Sequence, residues 1–285
     1  MNNGCKDHIG TQLQKISAAH VFRAFAIFSI SLVARFALLC AQDQTSIPEE
    51  IEWTWEVRPQ LADPKLPNVL LLGDSITRNY FPQVTKDLGG IANVYLMASS
   101  ASVGDTRLPT QIAEFAALQS VSFAVVHFNN GLHGWGYSEA QFKSGFPIFL
   151  RAISALPGRA ELIWTTITPV KPEASNGATN PRINERNAIA RAFIEAERIP
   201  IDDQHALMTQ HADLYEDAFH FNKAGSAIMG AQAATSIRRA LEKLRTRAAR
   251  STLADTRGGT TACCSLQRHL TRRSNDAQST HHGKS

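Results

Sequence analysis

From residue 68 to about residue 249 two textures of apolar and polar positions alternate along the chain. The first is a short apolar run bounded by glycine or small polar residues. It recurs as NVLLLG (68–73), ANVYLMA (92–98), VSFAVVHFN (121–129) and AELIWTTIT (160–168), with PIDDQHAL (200–207) as a short fifth case. Near-continuous apolar runs of this length predict strands buried on both faces. Between them lie longer amphipathic stretches that predict helices. One covers 78–90, with Pro82 offsetting its start and Gly89-Gly90 ending it; a second covers 108–119 with Pro109 in the first turn. A third runs from a Ser138 cap to 156 with a kink at Pro147. A fourth covers 180–199, with Asn180 as cap and Pro181 first in the helix, and 222–249 closes the series. Strand and helix in strict alternation imply an α/β fold: about five parallel strands with helices on both faces, a three-layer α/β/α arrangement joined by right-handed crossovers. In such sheets ligands bind beyond the carboxyl ends of the strands.

The flanks differ. Residues 42–66 hold three prolines and no clear period, and read as a lead-in strap. In residues 1–41, Lys6, Lys15 and Arg23 precede the apolar stretch 24–33, and small residues follow. That is signal-peptide order, with a cut after Ala41, or an N-terminal anchor where the segment stays on. Export, to the periplasm or the medium, is the expected localisation, and any membrane contact would run through that anchor. The net charge of +4 changes meaning once divided: from Arg238 onward there are 11 Lys+Arg against 3 Asp+Glu, leaving 18 against 22 elsewhere. Basicity therefore belongs to the end of the chain. Residues 246–285 are polar, basic and poor in large apolar groups, and read as a disordered tail. A nucleic-acid partner is not expected of the body. Cys5, Cys40, Cys263 and Cys264 all lie outside the alternating region, which excludes a disulfide framework or a thiolate metal site there.

Candidate chemistry sits where the strands end. Gly73-Asp74-Ser75 follows the first strand, SSASVGDT (99–106) the second and NNGLHGWG (129–136) the third, while YEDAFHFNKAG (215–225) leads into the closing helix. Ser75 has two readings: the N-cap of a helix, or a nucleophilic alcohol on a sharp strand-to-helix turn whose own N–H helps hold an oxyanion. A serine alcohol needs a base. His220 is the candidate, with Asp217 three residues before it to orient the ring. His127, His133, His205, His211 and His220 show no metal-ligand spacing, so no metal is expected; His127 lies within a strand and reads as core.

The stretch GDSIT, a glycine after the second strand, GLHG after the third and D-x-x-H-F-N before the last helix together resemble the SGNH (GDSL-type) hydrolase superfamily. The resemblance covers residues 67 to about 240, and the domain is set at 67–245. It implies a flavodoxin-like fold and ester hydrolysis through an acyl-serine, without a cofactor. By position it makes Ser75 the nucleophile, Asp217 and His220 its partners, and the amides of Ser75 and Gly104 parts of the oxyanion hole. The family's third block usually reads G-x-N-D; here it is Gly131-Leu132-His133-Gly134. The side-chain oxyanion donor is thus His133, or else Asn129 or Asn130. Asp74, Asp105 and Trp135 are candidates to line the substrate pocket. For Asp105 the rival reading is a surface pair with Arg107. For Trp135, as for Tyr137, it is packing. Arg182, Asn184 and Asn187 read as solvated. The expected substrate is a small-molecule or carbohydrate ester with a short acyl group such as acetyl. The rival readings are a catalytically weakened carbohydrate- or acyl-binding module and an O-acyltransferase.

Overall fold

The computed structural model describes the backbone of residues 46–276 and the side chains of 46–250. The expected leader at 1–41 lies outside the described residues.

Six strands form one sheet: β1 (Thr54–Val57), β2 (Asn68–Gly73), β3 (Asn93–Ser99), β4 (Val125–Phe128), β5 (Glu161–Thr165) and β6 (Ile201–Asp202), in the order β1-β3-β2-β4-β5-β6. β2 to β6 are mutually parallel, as the alternation requires. β1 adds to β3 antiparallel, Thr54 opposite Ser99 and Val57 opposite Leu96. The strap therefore supplies an edge strand that its three prolines masked; four residues are too few to show a period.

The helices are α1 (Ser75–Asp87), α2 (Arg107–Gln119), α3 (Glu139–Ser154), α4 (Asn180–Ala196), α5 (Gln204–Thr209) and α6 (Lys223–Asp276). They pack as two sets, α1 and α5 against α6, and α2 against α3 against α4, which makes the three-layer α/β/α arrangement. Val69, Leu70, Leu71 and Leu72 of β2 are buried because both faces of this central strand are covered. The chain leaves β2 for β3 on one side and later reaches β4 on the other. The crevice of the sheet thus opens at the carboxyl end of β2, at Ser75.

Several helix ends differ from the sequence expectation. α1 starts at Ser75 and not at 78, because Asp74 Oδ1 accepts the Ile76 amide at 3.0 Å and begins the helix; Pro82 lies inside it and does not offset its start. Thr179, not Asn180, caps α4, and the Asn180 side chain instead bridges the backbone N–H and C=O of Val170 at 3.0 and 2.8 Å. Ser138 caps α3 as expected, in a reciprocal box with Gln141. α6 continues to Asp276 and not to about 249; no proline follows Pro200 to interrupt it.

Candidate active site

Asp74 anchors the nucleophile turn. One carboxylate oxygen caps α1 and the other accepts the Leu132 amide at 3.2 Å, which ties the loop after β4 to the end of β2. Gly73 is required there by contact: a Cβ would come within 2.0 Å of Thr77 Oγ1. Asp74 is thus a structural brace, buried and spent on two amides, and has no free oxygen to offer a ligand. Ser75 becomes the first residue of α1, so its amide has no acceptor within the helix and no partner among the described residues.

His220 reaches Ser75 from a pinned loop. Tyr215 and Phe221 pair across the loop base and their rings stack at 4.3 Å. The Asn222 amide donates to Leu214 O at 2.8 Å, and Asn222 Oδ1 caps α6 by accepting from Ala224 and Gly225. Within the loop, Asp217 Oδ1 accepts the amides of Phe219 and His220, both at 2.7 Å. Its Oδ2 faces His220 Nδ1 at 2.8 Å, and His220 Nε2 lies 2.8 Å from Ser75 Oγ. The carboxylate assigns the proton to Nδ1, so Nε2 is left to accept the Ser75 hydroxyl proton. Burial pushes the Asp217 carboxyl up, but the two amides and the His220 ring outweigh it and the net shift is downward. Asp217 is therefore ionised at neutral pH. The three residues singled out from sequence meet in one hydrogen-bonded line.

The loop after β4 is held by two residues that sequence reasoning missed. Arg186 of α4 is 0% exposed, and its guanidinium donates to the carbonyls of His133 and Gly134 at 3.0 Å, Tyr137 at 3.1 Å and Gly131 at 3.4 Å. Its plane lies 4.1 Å from the Trp135 ring centre. Burial lowers its pKa to about 10, so it is still cationic at neutral pH. The helix pattern held a signal: Arg186 sits three residues past Ile183 and four before Ala190, on the buried stripe. The second is Glu49 of the strap. Its Oε2 lies 2.9 Å from His133 Nδ1, and its Oε1 accepts the Gly134 amide at 2.8 Å. No spacing could have pointed to it, 84 residues away. Gly134, at φ +68, is in the left-handed region that the turn needs.

The remaining candidates separate. Asp105 is buried; both its oxygens are taken by Arg107 and one also by Ser46 Oγ at 2.9 Å, while Arg107 reaches Glu52 at 2.8 Å. Its pair with the half-exposed Arg107 ties strap to loop and leaves Asp105 nothing to present to a substrate. Trp135 is likewise buried: Arg186 covers its face and its indole N–H donates to Leu132 O at 2.8 Å. Tyr137 is buried too, its hydroxyl accepting the Ile47 amide at 2.6 Å. Asn129 lines a small cavity behind Asp74, with no partner for its side chain among the described residues. Asn130 is committed to Ala101 O at 2.8 Å. The Gly104 amide donates to Ser102 Oγ at 3.1 Å and is not free. His127 is a core residue, paired with Asp202 at 2.8 Å. Asn184 is exposed as expected, but Asn187 is buried and bridges the Ile167 backbone, and Arg182 binds Glu139 and the Tyr137 carbonyl. Arg182 thus faces α3 and the loop after β4, and Asn187 the segment after β5. Among the described residues no group of three or more His, Cys, Asp or Glu side chains is placed to hold a metal.

The fold matches solved structures over most of their length. A carbohydrate esterase family 3 protein from Talaromyces cellulolyticus superposes with a TM-score of 0.50 at 17% identity, covering 62% of this chain and 99% of that one. A member of the lipolytic protein G-D-S-L family from Veillonella parvula gives 0.49 at 17% identity, over 60% of this chain and 98% of that one. A GDSL-like lipase from Bacteroides thetaiotaomicron gives 0.49 at 19% identity, over 63% and 93%. No protein-family model matches the chain, and no curated protein does.

Proposed function

We propose, for a chain whose fold is that of the SGNH (GDSL-type) hydrolases, that it is a serine esterase removing a short acyl group from an alcohol through an acyl-serine intermediate. One observation carries this reading: the unbroken relay Ser75–His220–Asp217, 2.8 Å at each step, at the crevice of the sheet. Ser75 Oγ attacks the ester carbonyl as His220 Nε2 takes its proton. The imidazolium, stabilised by Asp217, returns that proton to the departing alcohol. Water, activated by the same nitrogen, then releases the acid. The Ser75 amide and the side chain of His133 or Asn129 are the oxyanion donors at hand, each such donor contributing about 3–4 kcal/mol to the transition state. The leader pattern of residues 1–41 supports an exported enzyme, and the carbohydrate esterase among its structural neighbours supports acetyl esters of sugars as the substrates to try.

Water as acyl acceptor is favoured over a sugar hydroxyl because the relay is open: the side chains of His220 and Asp217 are 29% and 52% exposed. The test is turnover of short aryl esters and acetylated sugars by the full chain. Hydrolysis that falls with acyl length is expected, and no turnover of any ester by folded protein would contradict the reading. Enhanced transfer to an added sugar alcohol would mark an O-acyltransferase.

The occupied Gly104 amide favours a second reading, a binding module with weakened catalysis. The two diverge in Ser102→Ala. Removing the hydroxyl frees the amide for the oxyanion, so kcat/KM should rise, by about fivefold for one neutral hydrogen bond of about 1 kcal/mol. An unchanged or lower rate would mean that the Gly104 amide takes no part. Asp217→Asn should cost roughly a hundredfold less than loss of Ser75 or His220, because the ring keeps its neighbours and loses only its correct tautomer and charge partner. A loss as large as theirs would mean that Asp217 does more than orient and stabilise the ring.

A further inference from the structure

The loop after β4 puts a histidine where the family usually has an asparagine. His133 Nδ1 faces a carboxylate oxygen of Glu49 at 2.9 Å. A carboxylate only accepts, so Nδ1 carries the proton. In the neutral ring Nε2 is then bare, and a bare nitrogen repels an oxyanion. Nε2 has no partner among the described residues and is not enclosed. The ring is 16% exposed, edge-on to Trp53 at 5.6 Å. The amide of the preceding residue, Leu132, is bonded to Asp74 at the nucleophile turn.

We propose that Glu49 is a positioning residue that holds His133 as an imidazolium, whose Nε2–H is the side-chain oxyanion donor. This rests on the esterase reading above. Three acidic side chains act on the ring. Glu49 and Glu52 come from the strap and Asp74 from the end of β2, all acidic; Arg186 of α4 lies on the His133 carbonyl, and Arg107 of α2 partly offsets Glu52. Burial works against the cation, but Glu49, Asp74 and Glu52 outweigh it and the His133 pKa is raised. Glu49 itself is pushed up by burial and drawn down further by His133 and the Gly134 amide, so it is ionised at neutral pH.

The consequence is an alkaline limb in the rate. His133 must be charged, so activity falls as pH rises through the His133 pKa. In Glu49→Ala the ring loses its carboxylate, so its pKa should fall by about one to three units, and with nothing to hold the proton on Nδ1 the neutral ring donates in part; the alkaline limb of kcat/KM should move down and become shallower. Glu49→Gln behaves differently. The Gly134 amide still needs an acceptor and takes the Gln carbonyl. The Gln NH2 then faces His133 Nδ1 and makes it an acceptor, which puts the proton of the neutral ring on Nε2. That ring donates without being charged, so the alkaline limb should disappear.

The experiment is the kcat/KM–pH profile of wild type and both variants on a short aryl ester, alongside the ¹⁵N shifts of His133. Expected are a proton on Nδ1 of neutral His133 in wild type and on Nε2 in Glu49→Gln, with the alkaline limb shifted in one variant and absent in the other. An active wild type whose alkaline limb is the same in all three folded proteins overturns this proposal and leaves the esterase reading standing. A wild type that turns over no ester overturns both.

Discussion

His220→Ala is expected to lower kcat on a short aryl ester by about 10⁶-fold, and Ser75→Ala by a similar factor. The reason is that the two act as one unit. Without the Nε2 acceptor 2.8 Å from Oγ, the serine alcohol stays protonated and is a weak nucleophile. Without the alcohol, the imidazole has nothing to deprotonate. The double variant should therefore be no slower than either single one, which steady-state rates on the same ester check directly. Losses that multiply would mean that the two side chains work in separate steps. Both variants should melt as the wild type does, because neither side chain is part of the packed core.

The second large effect concerns stability. Arg186→Met should lower it by about 3–5 kcal/mol, because the change strips a buried charged donor from four carbonyls in one loop and leaves those of Gly131 and His133 without one. For a domain of this size that is roughly 10 °C in melting temperature. Arg186→Lys should fall in between, since a single ammonium cannot span the carbonyls that a planar guanidinium reaches. The loop also carries His133, so kcat should drop with stability. Thermal melts by circular dichroism decide it: a Tm within a degree or two of wild type would show that the loop holds itself.

Legibility from sequence followed the range of the interaction. The five parallel strands and the relay were readable because each depends on local order: apolar runs, a nucleophile turn, a D-x-x-H spacing. Ser75 and His220 are 145 residues apart, and only the alternation of strands and helices, together with the family resemblance, brought them to one edge. Local caps were less secure. Thr179 and Asn180 both suit a helix start, and tertiary demand decided, since Asn180 was needed at Val170. Asp105 and Trp135 carried chemistry by type, but burial consumed it in a carboxylate–guanidinium pair and a stacked indole. Arg186 was visible as a charge on a buried helix stripe, a mismatch that signals a carbonyl cluster to be bound. Glu49 was not visible at all. Its partners lie in the loop after β4, and nothing in a proline-broken strap marks the register that places it there. The strap is thus part of the site, through Glu49 on His133 and Ser46 on Asp105.

The relay itself is tested most directly by treating the native full-length chain with a fluorophosphonate and mapping the adduct by peptide mass. A single phosphonyl adduct on Ser75, lost in His220→Ala, is the expected result. A folded wild type that takes up no label, or takes it up at another residue, would contradict the account.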